Sequence, residues 1–259
     1  MDAHKPAEIK HLIEIAGVGK SRLPSGQMFV LAVLAGVFIG FGAAAYTVVM
    51  TGVDTIYGPS RLLGGMVFSL GLILVIVGGA ELFTGNALMV MATVERKITV
   101  GRLLRNWGVV YIGNLLGAAI LAYCIGLAGL LERDAGAVAM QIAEAKAGLS
   151  PHKAFMRGVL CNGLVCLAIW LTFAARSVTG KIFAILWPIS AFVLLGLEHS
   201  VANMYFFPQA WMAGADVAFL PALQNLILVT LGNVVGGGAG VALAYRFAYL
   251  GSSDSSDDQ

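Results

Sequence analysis

The stretch EHSVAN at residues 198–203 places a carboxylate, an imidazole, a hydroxyl and an amide inside an apolar part of the chain. Uncharged runs lie on both sides of this stretch, at 182–197 and 204–215. A polar group without a partner in hydrocarbon costs several kcal/mol, so a cluster of such groups is rarely kept there without a purpose. We therefore expect these side chains to line a wet passage or to bind a polar ligand at membrane depth.

A second polar stretch, ELFTGN at residues 81–86, repeats this arrangement earlier in the chain. In both stretches an asparagine follows a glutamate, and Glu81 and Asn86 lie 117 positions before Glu198 and Asn203. We expect both stretches to break a membrane helix. We interpret the two glutamates as acceptors for backbone N–H groups that the broken helices leave free. The two asparagines are interpreted as caps of the half-helices that follow.

The composition is typical of a protein with several membrane spans, because the mean hydropathy is +0.86 and only 12% of the 259 residues are charged. A net charge of +2, without a basic cluster that contains aromatic residues, argues against a nucleic-acid partner. The three cysteines lie in apolar runs without the paired spacing of a metal site. We interpret them as packing residues and expect neither a metal nor a cofactor.

Composition divides the chain into three parts. Residues 1–27 are polar and basic, and Pro6 followed by apolar residues at helical spacing predicts a short amphipathic helix at the cytoplasmic membrane surface. This helix is expected to end near residues 17–19, where glycines recur. Residues 28–250 are expected to form the transmembrane channel domain, and the acidic, serine-rich residues 251–259 to form a disordered cytoplasmic tail.

Six stretches are long enough to span a bilayer, since a membrane helix needs about 20 apolar residues. They are predicted at 28–50, 60–93, 104–131, 155–175, 182–211 and 222–249. The polar stretches described above interrupt the second and the fifth, so each of these two is predicted to consist of two half-helices joined by an unwound segment. The expected fold class is therefore an all-α membrane protein with six transmembrane helices.

Positive charges predict the orientation of these spans. Eleven of the sixteen lysines and arginines lie in the two terminal segments and in the loops after the second and fourth spans. Because basic residues accumulate on the cytoplasmic side, both termini are expected in the cytoplasm. We expect a multi-pass protein of the cell (inner) membrane, surrounded by lipid.

The two halves of the chain resemble each other. The motif GNLLG at residues 113–117, in the third span, returns as GNVVG at residues 232–236, in the sixth. Together with the paired polar stretches, this predicts two homologous repeats at about 28–131 and 155–249. Because each repeat holds three spans, the second must be inverted relative to the first. Inverted repeats with broken helices at matching positions point to a transport site near the middle of the membrane.

Four polar residues are candidates for the chemistry of that site. His199 is the only histidine inside a predicted span, and its unperturbed pKa of about 6.5 lies near physiological pH. The alternative is a histidine that only packs against a neighbouring helix. Thr84, in the first polar stretch, is expected opposite His199 if the halves are pseudo-symmetric. Asn162 and Lys146 are further candidates, although Lys146 can equally be an ordinary loop lysine.

Four segments resemble the formate/nitrite transporter family: residues 80–86 (AELFTGN), 161–168 (CNGLVCLA), 198–204 (EHSVANM) and 225–233 (NLILVTLGN). They occur in the order typical of the family, and the resemblance covers nearly the whole chain. It implies an aquaporin-like protomer with one pore, assembled as a homopentamer. It also implies the passage of small monovalent anions or of their acids, namely formate, nitrite or hydrosulfide, and in some members lactate or acetate.

The resemblance assigns roles to individual residues. The pore histidine of the family corresponds to His199 and the threonine of the first break to Thr84, while the vestibule lysine and its asparagine neighbour correspond to Lys146 and Asn162. Two apolar constrictions are implied, one on the cytoplasmic side at Leu82, Phe83 and Val165, and one on the periplasmic side at Phe68, Leu72 and Phe192. From the sequence alone, the aromatic and aliphatic residues among these are equally typical of a core.

Apolar constrictions exclude a bare anion, because moving an ion of this size into a low-dielectric medium has an idealised cost of order 20 kcal/mol. Formate is therefore expected to cross in protonated form or together with a proton, which either His199 or water supplies. Nitrite and hydrosulfide are the alternative substrates. A neutral-solute channel of the aquaporin kind would need paired Asn-Pro-Ala motifs, and an intramembrane enzyme would need a motif such as HExxH. The sequence contains neither, so we expect a channel and no enzyme.

Overall fold

The computed structural model describes residues 3–53, 58–132 and 134–249, which are predominantly helical. The helices are α1 (Pro6–Arg22), α2 (Ser25–Val49), α3 (Gly58–Phe68), α4 (Leu70–Gly78), α5 (Met89–Val94), α6 (Val100–Leu127), α7 (Asp134–Ala147), α8 (Pro151–Ala174), α9 (Val178–Leu194), α10 (Ser200–Met212), α11 (Phe219–Val234) and α12 (Ala244–Ala248). A 3-10 turn at Gly85–Leu88 precedes α5, and a π-helical stretch at Val235–Leu243 joins α11 to α12. The predicted tail at 251–259 lies outside the described residues.

Five helical units of the described residues are long and apolar enough to cross a membrane. They are Ser25–Val49, Gly58–Gly78, Val100–Leu127, Pro151–Ala174 and Phe219–Ala248. These five units correspond to five of the six predicted spans. The remaining one, predicted at 182–211, is divided into α9, with 17 residues, and α10, with 13. The prediction of an all-α membrane protein is confirmed.

Both predicted helix breaks are present. The first separates α4 from the 3-10 turn at Gly85–Leu88, and the second separates α9 from α10. Each has a glycine in the left-handed conformation close to the end of the preceding half-helix: Gly79, at φ 80°, is the C-cap of α4, and Gly196, at φ 66°, directly follows the C-cap of α9. A side chain at this φ is strained, so glycine is the residue that lets each half-helix end there.

The glycines of the repeated GNxxG motif bring helices into backbone contact. A Cβ atom placed on Gly117 would lie 2.0 Å from the carbonyl oxygen of Val33, and one placed on Gly236 would lie 2.0 Å from the carbonyl oxygen of Val159. Helix α6 thus packs on α2 in the first half as α11 and its π-helical extension pack on α8 in the second. This correspondence supports the predicted internal repeat.

Helix α1 is longer than predicted, since it continues to Arg22 instead of ending at residues 17–19. The prediction was wrong because glycine here serves packing: Gly17 lies against Ala92, which follows the first break. Ion pairs also attach α1 to the rest of the molecule. Lys97 contacts the buried carboxylate of Glu14, whose other oxygen lies 3.2 Å from the ammonium group of Lys10.

Helix α7 was not predicted, because its short, alanine-rich sequence has neither the length nor the hydropathy of a span. It lies between the third and fourth spans and contacts α10 and α11. Lys146 is therefore part of a helix rather than of a loop. Helix α7 precedes the spans of the second half as α1 precedes those of the first.

Candidate functional site

The two breaks meet through one hydrogen bond between side chains. Thr84 Oγ1 and His199 Nε2 are 2.9 Å apart, and both residues are buried. Each residue is the last one of its break, immediately before the helical segment that follows. The contact therefore joins the two halves at the point where both backbones leave the helical path.

His199 also caps the helix that follows it. Its Nδ1 atom accepts a hydrogen bond of 3.1 Å from the backbone N–H of Ala202, in the first turn of α10. An imidazole nitrogen that accepts a hydrogen bond carries no proton, so in this arrangement the ring is neutral and Nε2–H donates to Thr84. The aromatic ring of Phe192 stacks on the imidazole with its centroid 6.0 Å away.

Glu198 binds side chains in a closed network. Both of its oxygens accept from the ammonium group of Lys146, at 3.0 and 3.1 Å. The amide nitrogen of Asn203 donates to the same carboxylate at 2.7 Å and to Asn225 Oδ1 at 2.8 Å. The amide nitrogen of Asn225 donates in turn to the carbonyl oxygen of Lys146 at 2.9 Å, which fixes the end of α7.

The first half contains a similar network, which is not closed, because the amide nitrogen of Asn106 donates to the sulfur of Met28 and not to the lysine backbone. Glu81 accepts from the ammonium group of Lys20 at 2.6 Å and from the amide nitrogen of Asn86 at 2.8 Å. Asn86 also donates to Asn106 Oδ1 at 2.8 Å. Lys20 lies on α1 and Lys146 on α7, so the helix that precedes the spans of each half supplies the lysine that pairs with the glutamate of that half.

These networks correct two sequence interpretations. Glu81 and Glu198 were expected to accept backbone N–H groups, but the partners of both carboxylates are lysine and asparagine side chains. Asn86 and Asn203 were expected to cap the following half-helices, but their amides point back to the glutamates. The cap of α10 is His199, because it directly precedes that helix whereas Asn203 lies inside it.

The backbone of the first break is held by an asparagine that the sequence reasoning did not assign. Asn114 Oδ1 accepts from the N–H of Phe83 at 2.9 Å. Its amide nitrogen donates to the carbonyl oxygens of Ala32 at 2.8 Å and Glu81 at 2.9 Å. One fully buried side chain thereby supplies both a donor and an acceptor to an unwound segment that would otherwise lack them.

Asn233 has the same function in the second half. It accepts from the N–H of Ser200 at 2.8 Å and donates to the carbonyl oxygens of Gly158 at 2.8 Å and Glu198 at 3.0 Å. Both asparagines belong to the repeated GNxxG motif, so the repeat marked their positions in the sequence, although it did not indicate which backbone groups they bind. The candidate residue Asn162 connects the halves, since its amide nitrogen donates to the carbonyl oxygens of Thr84 and Asn233 at 3.1 and 2.7 Å.

Two cavities accompany these networks. The Lys146 cavity has a volume of about 320 Å³ and is lined by Lys146, Glu198 and His199 together with Phe68 and Phe192. The Lys20 cavity has a volume of about 390 Å³, and its lining includes Lys20, Glu81, Leu82, Asn86 and Lys181. Each cavity thus contains one of the two lysine–glutamate pairs.

The six residues of the implied constrictions are all buried. Phe68 and Phe192 face each other edge to face, with ring centroids 5.5 Å apart, and both line the Lys146 cavity. Leu82 lines the Lys20 cavity. The ring of Phe83 packs instead against Tyr111, with centroids 4.9 Å apart, and against Trp107. Leu72 and Val165 are buried in the same core cluster.

Two broken helices that meet between two cavities, inside a bundle of apolar helices, define a membrane transport protein built from two similar halves. A family model described as "Formate/nitrite transporter" matches residues 7–247. The chain belongs to the formate/nitrite transporter family, as its motifs predicted.

Three relatives illustrate the similarity. The chain is 42% identical over 253 residues to YrhG, an uncharacterized transporter of Bacillus subtilis (strain 168). This alignment covers 96% of the present chain and 95% of YrhG. It is 37% identical over 272 residues to the formate channel FocA of Escherichia coli (strain K12), again covering 96% and 95%. A solved structure described as a pentameric formate channel with formate bound has a TM-score of 0.80 and 42% identity, covering 87% of this chain and 98% of that one. Because the family and these relatives are transporters or channels, the chain is a formate/nitrite-type membrane channel and not an enzyme.

Proposed function

We propose that this protein conducts small monovalent anions of weak acids, with formate as the first candidate, in protonated form or together with a proton. The observation that carries this proposal is the buried contact between Thr84 and His199, which lies between the breaks of the two halves. The descriptions of the relatives as formate channels support formate. Nitrite and hydrosulfide are the alternative substrates within the same family.

The mechanism follows from charge and burial. The cationic side chains of the two cavities attract an anion, whereas the buried rings around His199 exclude it because desolvation of a bare ion is costly. The anion must therefore gain a proton before it passes. The neutral ring of His199 holds one proton, on Nε2, and a second can bind only at Nδ1 once the bond from Ala202 N–H is released. With that second proton, the ring can pass one through the Thr84 hydroxyl to the substrate.

The other candidate residues have supporting roles in this proposal. Lys146 and Asn162 complete the substrate pathway, and the six buried apolar residues form its constrictions. Glu81, Asn86, Glu198 and Asn203 hold the two breaks open through the networks described above. These supporting roles are the same if water is the immediate proton donor to the substrate. In that case His199 orients the Thr84 hydroxyl.

The membrane arrangement is also part of the proposal. Residues 28–250 form the channel domain in the inner membrane, residues 1–27 lie on its cytoplasmic face, and both termini are cytoplasmic. The pentameric relative supports a homopentamer embedded in lipid. A membrane-impermeant reagent should leave a tag after residue 259 unlabelled in intact cells, and native mass spectrometry of the purified protein should give the mass of five chains.

Flux measurements test the substrate and its proton together. Purified protein in liposomes is given a gradient of formate, nitrite or hydrosulfide, and internal pH and membrane potential are recorded, with protein-free liposomes as background. The proposal expects formate flux that carries one proton for each formate and moves no net charge. A formate current without proton movement would contradict the proton step, and the absence of flux for all three anions would contradict the proposed function.

A further inference from the structure

The lysine of the Lys146 cavity is already compensated by a carboxylate. Its ammonium group contacts both oxygens of Glu198, and it also lies 5.1 Å from the centre of the Phe206 ring. Within the cavity the Lys146–Glu198 pair is neutral as a unit. A distant anion therefore experiences little net attraction from this lysine.

Two other cationic residues line the same cavity, Arg61 and Arg157. Both are half-buried, and no carboxylate among the described residues lies within ion-pair distance of either guanidinium. Among the described residues, the side chain of Arg61 makes a single hydrogen bond, a long one of 3.5 Å to the carbonyl oxygen of Val193. The net positive charge of the cavity, once Lys146 and Glu198 are paired, thus resides on these two arginines.

Both arginines lie beside the second break. The guanidinium of Arg61 rests on Gly196, where a Cβ atom would come within 2.5 Å of Nη2. The carbonyl oxygen of Arg157 accepts from the N–H of Glu198 at 3.3 Å. The two residues therefore flank the backbone that leads to His199, and an anion held by them would be placed at the start of the pathway.

Guanidinium chemistry distinguishes the candidate substrates. A guanidinium is a planar fork of N–H donors that binds two oxygens of one anion at once, whereas an ammonium group acts as a point charge. Formate and nitrite each present two oxygens on one central atom, which matches this fork. Hydrosulfide has a single heavy atom and can accept only at one point.

We propose that Arg61 and Arg157 form the anion-binding site of the Lys146 cavity and favour the two-oxygen anions formate and nitrite over hydrosulfide. This inference rests on the proposed function, since it names the substrate class of the same pathway. It assigns to Lys146 the positioning of Glu198 and α7, and it assigns anion capture to the arginines.

The test separates the shape of the cation from its charge. Arg61→Lys and Arg157→Lys keep the charge and remove the fork, whereas Arg61→Gln and Arg157→Gln remove both. The control is Arg102→Lys, an exposed residue at the start of α6 that lines neither cavity. For each variant that elutes as the wild type in size-exclusion chromatography, the half-saturation concentrations of formate, nitrite and hydrosulfide flux are measured at one pH.

The lysine variants should raise the half-saturation concentration for formate and nitrite by about threefold to tenfold and leave that for hydrosulfide unchanged. The glutamine variants should raise it for all three anions, and Arg102→Lys for none. Lysine variants that keep the wild-type ratio of formate to hydrosulfide would overturn the inference while leaving the proposed function intact.

Binding of ¹³C-formate to the detergent-solubilised protein, followed by NMR, provides a readout that does not depend on flux. Formate binding that weakens in the lysine variants supports the arginine site, even if the wild type shows no flux. Absence of wild-type flux would overturn the proposed function but not the arginine site. Binding that is equally strong in wild type, lysine and glutamine variants would overturn the arginine site.

Discussion

The two broken segments share one scaffold and differ in the residue at which they end. Asn114 in the first half and Asn233 in the second make matching sets of three hydrogen bonds: two to the break or the residue directly after it, and one to a carbonyl oxygen of the neighbouring helix, α2 or α8. The first break, however, ends at Thr84, which makes no capping bond to the 3-10 turn that follows, whereas the second ends at His199, which caps α10. The duplicated residues thus build the breaks, and the proposed chemistry is assigned to Thr84 and His199, at which the two halves differ.

The strongest test of the shared scaffold replaces its asparagines. Asn114→Leu and Asn233→Leu each leave one backbone N–H and the carbonyl group of Glu81 or Glu198 unpaired inside the membrane bundle, at a cost of about 1–3 kcal/mol for each group. We expect both variants to lose the assembled protein to the same extent, as judged by size-exclusion chromatography of a fluorescent fusion.

Thr230→Val is the matched control for these variants, because it removes a half-buried hydroxyl from the same helix as Asn233. It should keep most of the assembled protein. If one asparagine variant assembles normally and the other does not, the two halves do not depend on equivalent scaffolds.

Replacing the lysine of either lysine–glutamate pair should destabilise the protein less than replacing Asn114 or Asn233. Lys146→Gln leaves Glu198 without its cation in a site where the lysine side chain is 13% exposed, whereas the side chain of Lys20 is 32% exposed. Breaking the more buried pair should lower the free energy of unfolding by about 1–3 kcal/mol, the cost of a buried acceptor that loses its donor, and Lys20→Gln should lower it by less than about 1 kcal/mol. Thermal unfolding in detergent measures both.

Equal destabilisation by Lys146→Gln and Lys20→Gln would mean that the two lysine–glutamate pairs are equally shielded from solvent, and would contradict this prediction. Lys146→Arg is the control, since it restores a cation at the same position and should recover most of the loss.

The smallest effect on stability is expected at the aromatic residues. Phe192→Leu keeps an apolar side chain but removes the ring that stacks on His199 and faces Phe68. It should admit larger acids such as lactate more readily than the wild type. Phe83→Leu should change this selectivity less, because the Phe83 ring packs against Trp107 and Tyr111. Relative lactate and formate flux in liposomes checks the pair, and a larger change at Phe83 would contradict this assignment.

The features that the sequence predicted are local ones. The spans follow from the length of apolar runs, and the breaks follow from polar groups and glycines inside those runs. The role of Asn114 could not be read this way, because it binds the N–H of a residue 31 positions earlier in the chain. Likewise, the choice of His199 over Asn203 as the cap depends on where α10 begins, and helix boundaries are the least certain part of a sequence-based prediction.

The resemblance supplied what spacing alone could not. It named Lys146 as a vestibule residue, and the structure places this residue against Glu198 on an unpredicted helix. It did not point to Lys20, whose equivalent position becomes visible only when α1 and Glu81 are brought together. In the sequence, the two arginines of the Lys146 cavity were used only to predict the orientation of the spans in the membrane, and no binding role was assigned to them.

The central claim is that His199, for which the first half has Leu82 at the equivalent position, makes uptake depend on external acid. His199→Asn offers an amide oxygen that can still accept from the N–H of Ala202, but it cannot bind a second proton. The measurement is formate uptake into proteoliposomes over an imposed pH gradient, with wild type and variant compared at equal amounts of assembled protein. Wild-type uptake should rise as the outside is acidified, beyond the rise in protein-free liposomes, and the variant should lose this additional rise. An assembled Asn variant with the full wild-type acid response would contradict the claim and would leave His199 with a structural role alone.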